Sequence, residues 1–265
     1  MFNIDYSILF SFLTSFMVTY ITIPKVISIA HKFRLSDGGS SRASHEGSVP
    51  IFGGIAIFFG IICAFLFWCD LNSIKFIVIS LVIVFFVGIL DDLVGISPLK
   101  KLIGQIFAIL ILIYFEDIYI DNLHGVLGVY EASNFVAIIF TIFVVIVITN
   151  GFNLIDGVDG LASGIGIISS FFFGLVSICM QQIDMAVIAF SLMGALLAFL
   201  KYNFHPARIF MGDTGSLVVG MVLSILAINI IQNGFINDSI NLSNKGPLFA
   251  IVFLAVLLFD SLRVF

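Results

Sequence analysis

The chain has 265 residues, of which 61% are hydrophobic and only 10% are charged, and its formal net charge at pH 7 is −5. Ordinary soluble domains carry about 25% charged residues, and a soluble fold of this size has too little interior to bury so much apolar surface. The composition therefore excludes a soluble globular protein and indicates a single integral membrane domain over residues 1–265.

Apolar runs of about the length needed to cross a bilayer recur along the chain. They predict nine membrane helices, at residues 6–30, 50–69, 74–90, 99–115, 133–150, 160–181, 184–200, 214–232 and 247–265. The first run lacks the basic region and the small-residue cleavage site of a signal peptide, so we interpret it as a retained helix. The expected fold class is an all-α polytopic membrane protein.

The basic residues predict the orientation of these helices. With the N-terminus outside, all of the 11 Lys and Arg residues except Lys75 and Lys245 fall on or near the cytoplasmic side, as the positive-inside rule requires. The connections after helices 1, 3, 5 and 7 then face the cytoplasm together. On the outside, residues 116–132 alternate apolar and polar residues and predict a small hairpin.

The second cytoplasmic connection contains the adjacent acids Asp91 and Asp92, in the segment GILDDLVG. Neighbouring carboxylates repel each other, and ionised groups near the membrane interior cost free energy. They need a compensating cation, a water-filled cavity or a proton. The alternative reading is a solvated helix end without a functional role.

The third connection, NGFNLIDGVDGLASG, contains polar residues at intervals of three, namely Asn153, Asp156 and Asp159. On a helix or turn, this spacing projects side chains to one side. The alternative is a turn that caps the sixth helix, where an acid at the helix N-terminus is favourable. Capping explains one of the acids but not three polar positions.

The fourth connection, NFHPARIFMGDTGS, places Asp213 between two glycines just before the eighth helix. Backbone N–H groups at a helix N-terminus favour phosphate, and Arg208 adds a positive charge suited to a pyrophosphate. Oxygen ligands without a Cys or His cluster suit Mg²⁺ or Mn²⁺ better than zinc. Together the loops predict metal-assisted phosphoryl transfer at a membrane surface, and no basic, aromatic stripe indicates nucleic acid.

Four fragments in order carry a family resemblance: SHEGSVPIFGG, GILDDLVGISPLKKLIGQ, NGFNLIDGVDGLASG and HPARIFMGDTGS. Together they resemble the polyprenyl-phosphate N-acetylhexosamine-1-phosphate transferases of glycosyl transferase family 4. The resemblance implies a multi-pass enzyme of the bacterial inner membrane. It would transfer a HexNAc-1-phosphate, here GlcNAc-1-phosphate, from a UDP-sugar to undecaprenyl phosphate and release UMP, which initiates cell-envelope glycan synthesis.

The resemblance also implies roles for individual residues. Asp213 matches the family's Mg²⁺ ligand, with Asn153 as the amide co-ligand, and Mn²⁺ is an alternative metal. Asp91 and Asp92 match the paired catalytic acids that act on the lipid phosphate or the metal. Substrate-binding positions are expected at His45, Asp156, Asp159, Asn203, Arg208 and Phe210, with Phe210 beside the uracil. The expected partners are the UDP-HexNAc, the polyprenyl phosphate and the membrane, with a homodimer left open.

One physical point modifies the implied role of the paired acids. A phosphate monoester has a second pKa near 6, so the lipid phosphate is mostly dianionic at pH 7. A general base at Asp91 or Asp92 then has little proton to remove. Orienting a group or coordinating the metal is the larger expected role.

Three alternatives remain beside the GlcNAc-1-phosphate branch. The first is a muramoyl-pentapeptide phosphotransferase, although NGFNLIDGVDGLA is less similar to that branch, in which a Thr often precedes the matching Asp. The second is a truncated, inactive member, because the family continues into a His-rich loop and at least one more helix beyond FDSLRVF. The third is an ion-coupled transporter, which is disfavoured because the acids cluster at one end of successive helices.

Overall fold

The structure is a computed structural model that describes residues 5–33, 49–122, 125, 130–233 and 246–264. Within these ranges the regular secondary structure is helical apart from one isolated bridge, which confirms the all-α expectation. The helices are α1 (Tyr6–Phe33), α2 (Gly53–Trp68), α3 (Leu71–Val94), α4 (Pro98–Phe115), α5 (Asn134–Ile155), α6 (Leu161–Cys179), α7 (Ile183–Asn203), α8 (Gly212–Asn233), α9 (Gly246–Phe253) and α10 (Ala255–Val264).

Seven of the described helices, α1 and α3 to α8, are long and apolar enough to cross a membrane. The shorter α2 is apolar throughout its 16 residues. These elements confirm a polytopic membrane protein, while the predicted orientation of its ends stays a prediction. Of the predicted outer hairpin, the described residues contain an antiparallel bridge between Asn122 and Glu131.

The prediction of one uninterrupted ninth helix over 247–265 is wrong, because the chain breaks at Leu254 between α9 and α10. At the break, the Ser169 side chain of α6 donates a hydrogen bond to the Phe253 carbonyl at 2.7 Å. The two halves have different neighbours, since α9 packs on α8 and α6 whereas α10 packs on α5.

Helix α8 lies at the centre of the bundle. Within its most apolar window, 94% of the residues are buried inside the protein, and it contacts α2, α3, α5, α6, α7 and α9. Glycines permit the close approach, as is usual where helices pack inside membranes. A Cβ at Gly54 of α2 or at Gly88 of α3 would overlap the α8 backbone at Thr214 and Gly215.

Two connections at one end of the bundle hold each other through backbone hydrogen bonds. The Phe210 N–H donates to the Pro50 carbonyl at 2.8 Å, and the Phe210 carbonyl accepts from the Gly53 N–H at 2.9 Å. The Met211 carbonyl accepts from the Gly54 N–H at 2.8 Å. The start of α2 is thereby fixed beside the start of α8.

Helices α3 and α5 extend past their predicted ends at residues 90 and 150. Helix α3 continues to Val94 and ends at Gly95, which has a left-handed φ of 66° and donates its N–H to the Asp91 carbonyl. Asp91 and Asp92 are therefore in the last turn of α3, and Asn153 is in the last turn of α5. Their positions are more rigid than loop positions, since the helical backbone fixes them.

The packing of α3 on α8 can be tested by adding one methyl group. Gly88→Ala should lower the apparent melting temperature in detergent micelles, because its Cβ would meet the immobile backbone of Thr214. Such overpacking costs roughly 1–3 kcal/mol. Gly164→Ala is the matched control, since nothing lies within 4 Å of its added Cβ. Equal melting temperatures of the two variants would contradict this packing.

Candidate active site

The Asp92 carboxylate of α3 binds the N-terminus of α8. One oxygen accepts from the Asp213 N–H at 2.8 Å, and the other accepts from the Thr214 N–H at 2.9 Å and the Thr214 hydroxyl at 2.5 Å. The first N–H groups of a helix have no partner within the helix, and the helix dipole favours a negative charge there. Asp92 therefore fixes the helical turn that carries Asp213.

Gly88 makes this contact possible. It precedes Asp92 by four residues, so both lie on the same face of α3. Gly88 brings the backbone of α3 against Thr214, and the Asp92 side chain one turn later reaches the N–H groups. The crossing of α3 and α8 therefore produces both the close packing at Gly88 and the capping of α8 by Asp92.

Lys101, in the first turn of α4, bridges two of the acids. Its ammonium lies 2.5 Å from Asp213 Oδ1 and 2.9 Å from Asp91 Oδ2. The side chains of Lys101 and Asp91 are 15% and 14% exposed, so solvent screens the pair less than it would at a surface. Within the described ranges, no other Lys or Arg forms an ion pair with a carboxylate.

Asn153 contacts the same acid from α5. Its amide nitrogen donates to Asp213 Oδ1 and, at 2.8 Å, to the Ser216 hydroxyl. The hydrogen-bond network assigns this orientation of the amide. For Asn153 to offer its oxygen to a metal, the amide has to turn over and release Asp213.

Asp156 follows directly after α5 and accepts a hydrogen bond from the Gly212 N–H at 3.2 Å. Burial raises the pKa of Asp156 to about 7, the Gly212 N–H opposes this shift, and the charges of Asp213 and Asp92 add to it. Near neutral pH this carboxyl is therefore divided between its two protonation states. A cation placed among these acids would favour the ionised form.

A second set of contacts fixes residues 203–211. Asn203 is buried, donates to the Ile209 carbonyl at 3.0 Å, and accepts from the Gly160 N–H at 3.0 Å. Asp159 accepts from the Ala207 N–H at 3.2 Å and lies 3.0 Å from the His205 ring. These side chains bind this protein's own backbone and so shape the connection.

The structure therefore sorts the sequence-predicted residues into groups. Asp91, Asp92, Asn153, Asp156 and Asp213 share one hydrogen-bonded cluster, which is completed by Lys101 and the first N–H groups of α8.

The other predicted residues lie beside this cluster or beyond the described ranges. Asp159 and Asn203 hold the neighbouring connection, on which Arg208 is exposed and Phe210 is half-buried. Their contacts with substrate stay predictions. His45 lies outside the described residues.

Sequence reasoning missed Lys101 as a member of the site. In the sequence, Lys101 serves only as evidence for the orientation of the helices. Its position in the first turn of a helix that follows the paired acids could have indicated that it belongs to the site. Thr214 and Ser216 lie one and three residues after Asp213 in the first turns of α8, so the position of Asp213 at a helix N-terminus is the signal for their part in the site.

The oxygen atoms around Asp213 can be compared with the ligands that metal ions usually have in proteins. Among the residues that the structure describes, no three His, Cys, Asp or Glu side chains are grouped to hold a metal by themselves. Mg²⁺ in phosphoryl-transfer sites uses one or two carboxylates together with substrate phosphates and water. Asp213 with Asn153 fits that mode of binding, whereas zinc would require a different ligand set.

Comparison with known proteins gives a consistent result. The profile of glycosyl transferase family 4 matches residues 74–231. A phospho-N-acetylmuramoyl-pentapeptide-transferase of Borrelia turicatae is 32% identical over 81% of this chain and 71% of the relative. One from Clostridium perfringens is 33% identical over 85% and 76%. A probable undecaprenyl-phosphate N-acetylglucosaminyl 1-phosphate transferase of Bacillus subtilis is 32% identical over 83% of this chain, which spans 62% of that relative.

The capping contact of Asp92 yields a stability prediction. Asp92→Asn replaces one acceptor oxygen by an NH₂ group that faces an N–H donor, so the apparent melting temperature should fall. The expected loss is about 1–2 kcal/mol, as for other helix caps. Thr214→Val, which removes only the hydroxyl and keeps both N–H donors, should fall less. An Asp92→Asn protein that melts like the wild type would show that the cap does not hold α8.

Proposed function

Because the chain belongs to glycosyl transferase family 4, we propose that it transfers GlcNAc-1-phosphate from UDP-GlcNAc to undecaprenyl phosphate and releases UMP. At the coarser level, it is a polyprenyl-phosphate sugar-1-phosphate transferase and a multi-pass protein of the bacterial inner membrane. The identity of the sugar, the dependence on Mg²⁺ or Mn²⁺ and a homodimer belong to the proposal.

The convergence on Asp213 carries this proposal. Side chains from four helices meet there: Asp91 and Asp92 from α3, Lys101 from α4, Asn153 from α5, and Asp213 itself on α8. Phosphoryl transfer is catalysed mainly by positioning and by electrostatic stabilisation of phosphate oxygens. An oxygen-ligand centre with one adjacent ammonium group is suited to that task.

In the proposed reaction, an oxygen of the lipid phosphate attacks the phosphorus of the sugar-1-phosphate unit. The bond from that phosphorus to the UMP oxygen breaks, and UMP leaves with the electron pair. Asp213 and Asn153 would hold the Mg²⁺, which when bound neutralises charge on the diphosphate. Arg208, exposed on the adjoining connection, adds a cation for the same phosphates.

The contacts of the paired acids support an orienting role. Both oxygens of Asp92 are occupied by α8 donors, and Asp91 is paired with Lys101. Neither carboxylate is placed as an isolated base, and a dianionic lipid phosphate has little need of one. In the proposed mechanism they therefore position Asp213 and Lys101.

The choice of sugar rests on the motif NGFNLIDGVDGLA, which favours GlcNAc-1-phosphate. A second candidate is phospho-N-acetylmuramoyl-pentapeptide transfer, because similar proteins from Borrelia turicatae and Clostridium perfringens carry that name. Both reactions release UMP from a UDP-linked amino sugar, so one assay compares them directly.

The proposal is tested by UMP release from the purified protein with Mg²⁺ and undecaprenyl phosphate. UDP-GlcNAc should react faster than UDP-N-acetylmuramoyl-pentapeptide, and chelation of the metal should stop both. Asp213→Asn should lower the rate about 100-fold or more, as for other groups that stabilise transition-state charge. Asp121→Asn makes the same chemical change on an exposed residue at the opposite end of the bundle and should leave the rate unchanged.

Three results would contradict the proposal. UMP release that continues without metal would contradict the proposed metal dependence. An unchanged rate in Asp213→Asn would show that Asp213 has no role in the mechanism. Faster reaction of the muramoyl-pentapeptide substrate would reassign the chain to the second candidate. A pH–rate profile of Asp92→Asn that differs from wild type only in height would support the orienting role over general-base catalysis.

A further inference from the structure

Lys101 contacts the Asp213 carboxylate, which is a ligand of the proposed metal site. Its ammonium lies 2.5 Å from Asp213 Oδ1, the oxygen that also accepts from Asn153. The proposed metal would be held by this same Asp213–Asn153 pair. The lysine and the metal therefore depend on the same ligand group.

We propose that Lys101 holds the place of the divalent cation at Asp213 in the metal-free protein, and that metal binding displaces it onto Asp91 and the substrate diphosphate. This inference deepens the proposed function and rests on it. It assigns to Lys101 a positioning role in the loading of the site.

The acids of the cluster need a compensating cation. Asp91, Asp92 and Asp213 lie within one hydrogen-bonded cluster with Asp156 nearby, and within the described residues Lys101 is the only Lys or Arg paired with any of them. Such a group of acids is unstable without a cation. Lys101 supplies that cation when no metal is bound.

A divalent cation and the Lys101 ammonium would compete for the Asp213 carboxylate. Mg²⁺ binds oxygen ligands at about 2.0–2.1 Å, and an ammonium at hydrogen-bond distance from the same carboxylate oxygen repels it strongly in a partly buried site. The two cations therefore compete for Asp213 Oδ1. A metal ion bound at that oxygen breaks its contacts with Lys101 and Asn153.

Asp91 gives the displaced lysine a second partner. Its Oδ2 already lies 2.9 Å from the Lys101 ammonium, so leaving Asp213 does not leave the charge unpaired. Lysine has a flexible four-carbon chain that permits such a shift. On Asp91, the ammonium remains beside the metal-bound phosphates without sharing their ligand.

Metal and substrate therefore bind to the site cooperatively. Lys101 lowers the affinity of the empty site for metal, because it competes for Asp213. When a diphosphate arrives, it offers oxygens to the metal and to Lys101 at once, so the competition ends. A metal ion alone is held weakly, and a metal ion with its substrate is held firmly.

Binding of Mn²⁺ without any substrate tests the inference, with free Mn²⁺ counted by electron paramagnetic resonance. Lys101→Met should bind Mn²⁺ roughly 5-fold tighter or more than wild type, a typical size for coupling between two bound groups. Lys101→Arg keeps the cation and should stay near wild type. Lys100→Met is the matched control, because it removes the same charge from an exposed neighbour in the same helical turn and should change the affinity less than about 2-fold.

A second measurement uses the wild-type protein and does not depend on a variant that folds. Acetylation of lysines, followed by mass spectrometry, should label Lys101 faster when Mn²⁺ is present, while Lys100 should be labelled at the same rate. Equal labelling of Lys101 with and without Mn²⁺ would overturn the proposal, as would a Lys101→Met protein that binds Mn²⁺ no tighter than wild type.

The outcomes separate this inference from the proposed function. If UMP release depends on metal and on Asp213 but Lys101→Met gains no Mn²⁺ affinity, the displacement is wrong and the function stands. If Mn²⁺ binds through Asp213 and Lys101 competes with it, but no UDP-sugar releases UMP, the inference stands and the function is wrong. Mn²⁺ binding that ignores Asp213→Asn would overturn both.

Discussion

The contact between the Asp92 carboxylate and the N-terminus of α8 organises the rest of the molecule. Helix α8 is enclosed by other helices, so its first N–H groups need a partner from the protein. Asp92 supplies three acceptor contacts from α3. It reaches them because Gly88, one turn earlier on the same face, brings the two backbones together. The position of Asp213 follows from this crossing.

The electrostatics of the site follow from the same arrangement. Acids at the end of a membrane helix cost free energy unless their charge is compensated. Here the compensation is divided among the α8 N-terminus, the Lys101 ammonium and the Asn153 amide. Burial raises the pKa of Asp156 to about 7, and the charges of Asp213 and Asp92 add to this shift. Under the proposed function, this centre binds a divalent cation and phosphate groups, the components that metal-assisted phosphoryl transfer requires.

A second network, around Asn203 and Asp159, shapes the connection that carries Arg208 and Phe210. That connection is also paired with the start of α2 through Phe210 and Pro50. The cluster around Asp213 and the connection that carries Arg208 and Phe210 are thus built from separate contacts, so a change in the connection need not disturb the cluster.

The sequence by itself determined the membrane class, the approximate limits of the first eight helices, and five of the six charged or amide side chains in the cluster. Hydropathy and the spacing of polar residues are local properties, so they can be read along the chain. Only the tertiary structure showed that Asn153 lies within the last turn of α5 and that Asp92 caps α8, added Lys101 to the cluster, and divided the last helix at Leu254. Each of these depends on which helices cross and how closely, and that is decided by packing between residues distant in sequence, such as Gly88 against Thr214.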